Sequence, residues 1–182
     1  MNKQAVRNSP FSMMIRSSLS EKYGLAEALT RKCCQFYVSL HKACETRECR
    51  EIAARFLVQT KAELKKLKEL RHFELNNEYA SFIRAKGLEL ETSQDMKSRL
   101  AELHHEAERL ERIFSQLPHI DLSNSKAVYH YCLIMRHDLT GMMELLSEVS
   151  LNTRQQKELQ NIAEYFQQHT ELLAEKYPGQ DK

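Results

Sequence analysis

Tryptophan is absent from this chain, and glycine and proline are scarce, at four and three among 182 residues. Strand-rich proteins depend on those two residues for tight turns, so the shortage excludes a fold dominated by β-sheet. No apolar run comes near the roughly 20 residues needed to cross a bilayer as a helix. The start of the chain has Lys3, Arg7 and Arg16 and no acid before Glu21. It lacks the apolar segment of a signal peptide, so residues 1–19 are expected to form a flexible tail, with an organellar targeting segment as the lesser alternative. No Cys-x-x-Cys pair occurs among the five cysteines (Cys33, Cys34, Cys44, Cys49, Cys132), which removes zinc-ribbon and thioredoxin chemistry. Buried, reduced thiols in the cytoplasm are the expectation. A formal charge of +2 shows no excess of either sign, so neither nucleic acid nor a membrane is an expected partner.

What is present is helix-forming composition: abundant Leu, Glu, Lys, Arg, Gln and Ala. A first helix is expected from about Ser20 to Cys44, with Leu25, Leu29, Cys33, Phe36, Tyr37 and Leu40 on one stripe. A second begins after Thr46 and carries Ile52, Phe56, Leu57, Leu64, Leu67 and Leu70. The short connection makes them an antiparallel pair. Residues 76–95, with Asn76-Asn77, Gly87 and Ser93, read as a connector holding one short helical piece from Tyr79 to Arg84. A third helix carries Met96, Leu100, Leu103, Ala107, Leu110, Ile113, Phe114 and Leu117 and ends at Pro118. Ser123-Asn124-Ser125 opens a fourth, in which Gly141 suggests close packing. Thr153 and Gln156 form a capping-box pattern for the last, which Pro178-Gly179 terminates.

The two ends of the chain repeat one layout. Residues 25–67 and 131–173 superpose at a constant offset that pairs Leu29 with Met135, Phe36 with Met142, Tyr37 with Met143, Leu40 with Leu146, Phe56 with Ile162 and Leu57 with Ala163. The repeat is one of pattern, with almost no identical residues. An all-α protein of a single domain follows, spanning residues 20–178 as hairpin 20–75, crossover 76–122 and hairpin 123–178. A plain up-and-down bundle of five helices is the alternative.

In both hairpins an aromatic or methionine pair (Phe36-Tyr37, Met142-Met143) is followed by an apolar pair opening a spaced motif. The best version is Ile162-Ala163-Glu164-Tyr165-Phe166-Gln167-Gln168-His169, and a weaker one is Phe56-Leu57-Val58-Gln59-Thr60-Lys61-Ala62-Glu63. Over about half the chain this resembles the rubrerythrin-like branch of the ferritin-like superfamily. The resemblance implies a four-helix bundle of two antiparallel hairpins with a crossover helix. In that family a Glu stands six residues before a Phe-Tyr pair, and Leu-Ala-x-x-Glu-x-x-His follows on the next helix. These carboxylates and imidazoles hold two iron ions in the bundle core. Carried over, the ligand positions fall on Thr30, Thr60, Glu63, Arg136, Phe166 and His169. Only His169 keeps its expected type, while Glu63 is a carboxylate in a histidine position. The resemblance therefore implies a degenerate metal site, with Glu63, Arg136 and His169 as a core ion-pair ladder, since a buried carboxylate needs a cationic partner.

Two Glu-x-x-His pairs lie elsewhere, Glu69/His72 and Glu102/His105, each on one helical face and suited to zinc more than to redox iron. Solvated helix faces are the simpler reading of both. The basic run Lys61, Lys65, Lys66, Lys68, Arg71 is punctuated by Glu63 and Glu69 and reads as an exposed face. Met135, Met142 and Met143 read as core filling. No cofactor is expected, and the expected function is a non-catalytic interaction or regulatory scaffold. It would self-associate, most simply as a dimer, through apolar surface on the stripe from Met96 to Leu117 or on the side of the bundle, and bind a further protein partner. The alternative is an iron-dependent oxidoreductase or iron-handling protein using His169 and Glu63, or a zinc site on the outlying pairs.

Overall fold

The computed structural model describes residues 18–81, 94–150 and 152–175. Among them are five helices and no strand: α1 (Leu19–Ala43), α2 (Arg47–Ser81), α3 (Gln94–Phe114), α4 (Ser125–Glu148) and α5 (Thr153–Glu175). The expectations placed on residues 1–17, on Gly87 and Ser93, and on Pro178-Gly179 lie outside the described residues.

Helix ends are set by side chains that satisfy the first orphan N–H groups. Ser18, and not Ser20, caps α1: its Oγ accepts from the Glu21 amide at 3.3 Å, and the Glu21 carboxylate accepts from the Ser18 amide at 2.7 Å. This reciprocal box needs an acid three residues on, where Ser20 has only Tyr23. Thr46 Oγ1 caps α2 by accepting from the Cys49 amide. The Arg50 guanidinium donates to the Cys44 and Glu45 carbonyls, which closes the α1–α2 turn. Asn124 caps α4, accepting from the Lys126 and Ala127 amides. Asn152, a stronger cap than Thr153, accepts from the Arg154 amide at the start of α5. The Gln156 amide turns back instead to the Ser150 carbonyl at 2.8 Å.

α2 runs through Asn76-Asn77 and takes in Tyr79–Ser81, so the break expected there does not occur. An Asn inside a helix costs at most about 0.7 kcal/mol relative to Ala. That is too little to end a helix held to α5 by Glu74 and Arg154, 2.8 Å apart. Gly141 does not mark close packing, because a Cβ there would meet nothing within 4 Å. The stripe on α3 is used inside the chain: Leu103, Leu110 and Phe114 are buried, while Leu117, beyond the helix end, is exposed.

Contacts between elements give their directions. Phe56 and Glu63 of α2 meet Tyr129 and Arg136 of α4, so these two helices run the same way. Tyr37 reaches Cys132 while Lys22 reaches Ser150, so α1 opposes α4. Glu63 meets His169 and Glu74 meets Arg154, so α2 opposes α5. α3 packs mainly on α1 and α4, through Lys32–Glu111, Arg99–Glu148 and Arg109–Asp138. Helices equivalent in the repeat, α1 with α4 and α2 with α5, are therefore antiparallel.

The core is aromatic at one end. Tyr37 and Phe56 pack with ring centroids 5.7 Å apart, and Phe56 with Tyr129 at 6.1 Å. Phe36 meets Phe114 and Tyr131. The Tyr37 hydroxyl, fully buried, donates to the Cys132 carbonyl at 3.1 Å. Such a pairing is obligatory, since a buried unpaired hydroxyl costs about 1–3 kcal/mol.

At the other end Lys22 is buried, and its Nζ donates to Ser150 Oγ at 3.0 Å and Gln155 Oε1 at 2.8 Å. Both partners are neutral, so burial dominates and pushes its pKa down to about 8, against a smaller upward pull from Glu21. The unfolded chain keeps this proton to about pH 10.5, so from pH 8 to 10.5 the unfolded state binds more protons and the group stabilises the fold as pH rises. Cys34 and Cys44 oppose it: burial pushes both thiols up to about 11, so they stay protonated while the unfolded chain ionises. Comparison with Lys22→Met isolates the lysine. In urea titrations at pH 8 and 10, wild type is expected to gain stability relative to the variant as pH rises. A constant difference would show that Lys22 is not held in an apolar setting.

Candidate functional site

The polar centre of the bundle is Arg136, on the buried stripe of α4 and wholly shielded from solvent. Glu63, on α2, is also fully buried and takes both guanidinium ends: Nη1 donates to Oε2 at 2.5 Å and Nη2 to Oε1 at 2.6 Å. This fork-to-fork geometry is the strongest arrangement open to the two groups. Burial pulls the Arg136 pKa down, but the hydrogen bond and charge of Glu63 outweigh it, so the guanidinium lies above its ordinary value and stays charged.

Other groups complete the shell. Nη1 reaches Thr60 Oγ1 at 3.5 Å, and Nη2 reaches the Phe166 carbonyl and Thr170 Oγ1, each at 3.4 Å. The guanidinium carbon lies 5.4 Å from the Phe166 ring centroid, within cation–π range. Thr140 Oγ1 donates to the Arg136 carbonyl and lies 3.3 Å from Thr170 Oγ1. Arg136 Nε is buried without a hydrogen-bond partner. At the edge, His169 Nδ1 lies 3.1 Å from Glu63 Oε1, and its ring meets Tyr165 edge-on at 4.2 Å. Glu63 and His169 are equivalent in the repeat, 106 residues apart, and they touch.

The sequence-predicted positions thus divide into two groups. Thr60, Glu63, Arg136, Phe166 and His169 come together around one guanidinium. Thr30 is buried on α1 and donates to the Ala26 carbonyl. Glu69 and His72 stand exposed on α2, Glu102 and His105 exposed on α3, and α3 packs mainly elsewhere. Glu69 is paired loosely with Lys65 at 3.9 Å. Among the described residues no group of three or more His, Cys, Asp or Glu is arranged to hold a metal. Thr140 and Thr170 were missed. Their signal was available: each stands four residues after a stripe position at the centre, Arg136 and Phe166, where a hydroxyl faces the same core.

The residues present do not fit a di-iron centre. One carboxylate faces the core there, both its oxygens are taken by Arg136, and a guanidinium and a phenyl ring fill positions where carboxylates would be needed. Thiol nucleophiles are disfavoured as well, since burial pushes Cys33 and Cys132 well up from the usual thiol range. No described helix is long and apolar enough to cross a membrane. No protein-family model matches the chain, and no curated protein or solved structure shows significant similarity to it.

Proposed function

We propose that this chain is a non-catalytic helical bundle of ferritin-like plan, with an ion pair in place of a metal centre, acting as an interaction or regulatory scaffold. One observation carries the reading. Thr60, Glu63, Arg136, Phe166 and His169, positions at which the resemblance expects metal ligands, gather around the Arg136 guanidinium. A cation held there repels metal ions, and its hydrogen bonds to Glu63 replace ligand bonds as the link between α2 and α4. The opposed directions of α1 with α4 and of α2 with α5 agree with a two-hairpin plan. Exposed apolar side chains, Val58 and Phe73 on α2 and Ile134 on α4, are where a partner or a second copy would gain most from contact.

The test is elemental mass spectrometry on untagged protein purified without chelator, together with light scattering for the oligomeric state. Metal below about 0.1 equivalent per chain is expected. Close to two irons per chain would overturn the reading and favour iron-dependent oxidoreductase chemistry. One zinc would overturn it in favour of Glu69, His72, Glu102 and His105.

A further inference from the structure

A cleft of about 260 Å³ opens between α1 and α2, lined by Gly24, Glu27, Ala28, Arg31, Gln35 and Arg71, with Lys32 at its edge. Its floor is Glu27, whose side chain is only 7% exposed and which accepts hydrogen bonds from two arginines. Arg71 Nη1 donates to Oε2 at 3.0 Å, and Arg31 Nη2 donates to Oε1. Burial pushes the Glu27 carboxyl up, but the two arginines outweigh it and hold it below the usual carboxylate range.

One carboxylate therefore sits between two guanidiniums and leaves a unit of positive charge uncompensated. Lys32 adds little, because its Nζ is held by Glu111 of α3 at 3.1 Å. Each arginine spends one terminal nitrogen on Glu27, so its other terminal N–H groups remain for a ligand. The Arg71 guanidinium packs beside Gly24, where a Cβ would stand 3.4 Å from its Cζ and Nε.

We propose that this cleft binds a compact phosphate-class oxyanion, either free or carried by a small phosphomonoester. Guanidinium forks recognise such groups through paired N–H donors, and Glu27 fixes both forks in advance, so little side-chain freedom is lost on binding. The cleft is smaller than the roughly 300–1,000 Å³ of sites for larger ligands, which suits a phosphoryl group and a few attached atoms. Glu27 at the floor turns away a ligand that would reach below the arginines. The site is distinct from the Arg136 cluster and independent of the metal-free reading of it.

The test is a calorimetric titration of the full chain with inorganic phosphate and, separately, O-phosphoserine, at ionic strength held constant with sodium chloride. Saturable binding of at least one is expected. Affinity should fall about tenfold or more in Arg71→Gln and Arg31→Gln, and nearly as far in Arg71→Lys, which keeps the charge and loses the fork. Tighter binding of phosphoserine would identify the carried phosphate as the ligand, and equal or weaker binding the free ion. Ala28→Glu removes none of the cleft's charged side chains and places a negative charge beside the two arginines, so it should abolish binding without loss of helicity. No saturable binding, or binding that these substitutions leave unchanged, would overturn the proposal.

Discussion

Replacing Arg136 by methionine is expected to remove about 3–5 kcal/mol of folding stability, the usual cost of leaving one member of a buried ion pair alone. Domains have roughly 5–15 kcal/mol in all, so the variant should sit near the edge of folding. Glu63 would keep His169 beside Oε1, on the partly exposed side of the cluster, and its Oε2 would lose the Arg136 hydrogen bond. Urea unfolding of wild type and variant at pH 7 measures the loss. The companion double variant, Glu63→Leu with Arg136→Met, should recover most of the loss, because removing both charges ends the desolvation penalty along with the attraction. If the double variant is as unstable as the single, the hydrogen bonds to Thr60, Thr170 and the Phe166 carbonyl contribute more than the ion pair does.

Phe166→Ala is expected to cost about 3–5 kcal/mol, the range for deleting a fully buried phenyl ring. The ring fills the space beside the Arg136 guanidinium, and its loss also removes a cation–π contact worth about 0.5–2 kcal/mol. Because Phe166 and Arg136 touch, the two substitutions should not add: the combined variant should lose less than the sum of the singles. Thermal and urea unfolding of the four members of the cycle would measure that coupling. A loss below about 1 kcal/mol for Phe166→Ala would mean that α5 shifts to fill the gap and that the centre is looser than its geometry implies.

Much of the fold was legible because periodicity and caps act over a few residues. The stripes through Phe36, Tyr37 and Leu40, or Met135, Met142 and Met143, could bury themselves only as helices, and Asn124 had backbone amides within reach two and three residues on. Misreadings fell where local signals conflicted. Ser20 looked like a cap but Ser18 had the acid at the right distance, and Asn76-Asn77 looked like a break that α5 overrode through Glu74 and Arg154.

The sequence alone determined that this protein is helical and where its hairpins turn. Each of those facts depends on interactions within one or two helical turns. Only the tertiary structure decided that Glu63, set in a run that reads as an exposed face, is buried and meets Arg136, because the two are 73 residues apart and their approach depends on which way α2 and α4 run past each other. The same holds for Gly24 and Arg71, whose cleft exists only once α1 and α2 have packed. Local chemistry sets the face that each helix offers, and burial of those faces against one another decides which charges share a core.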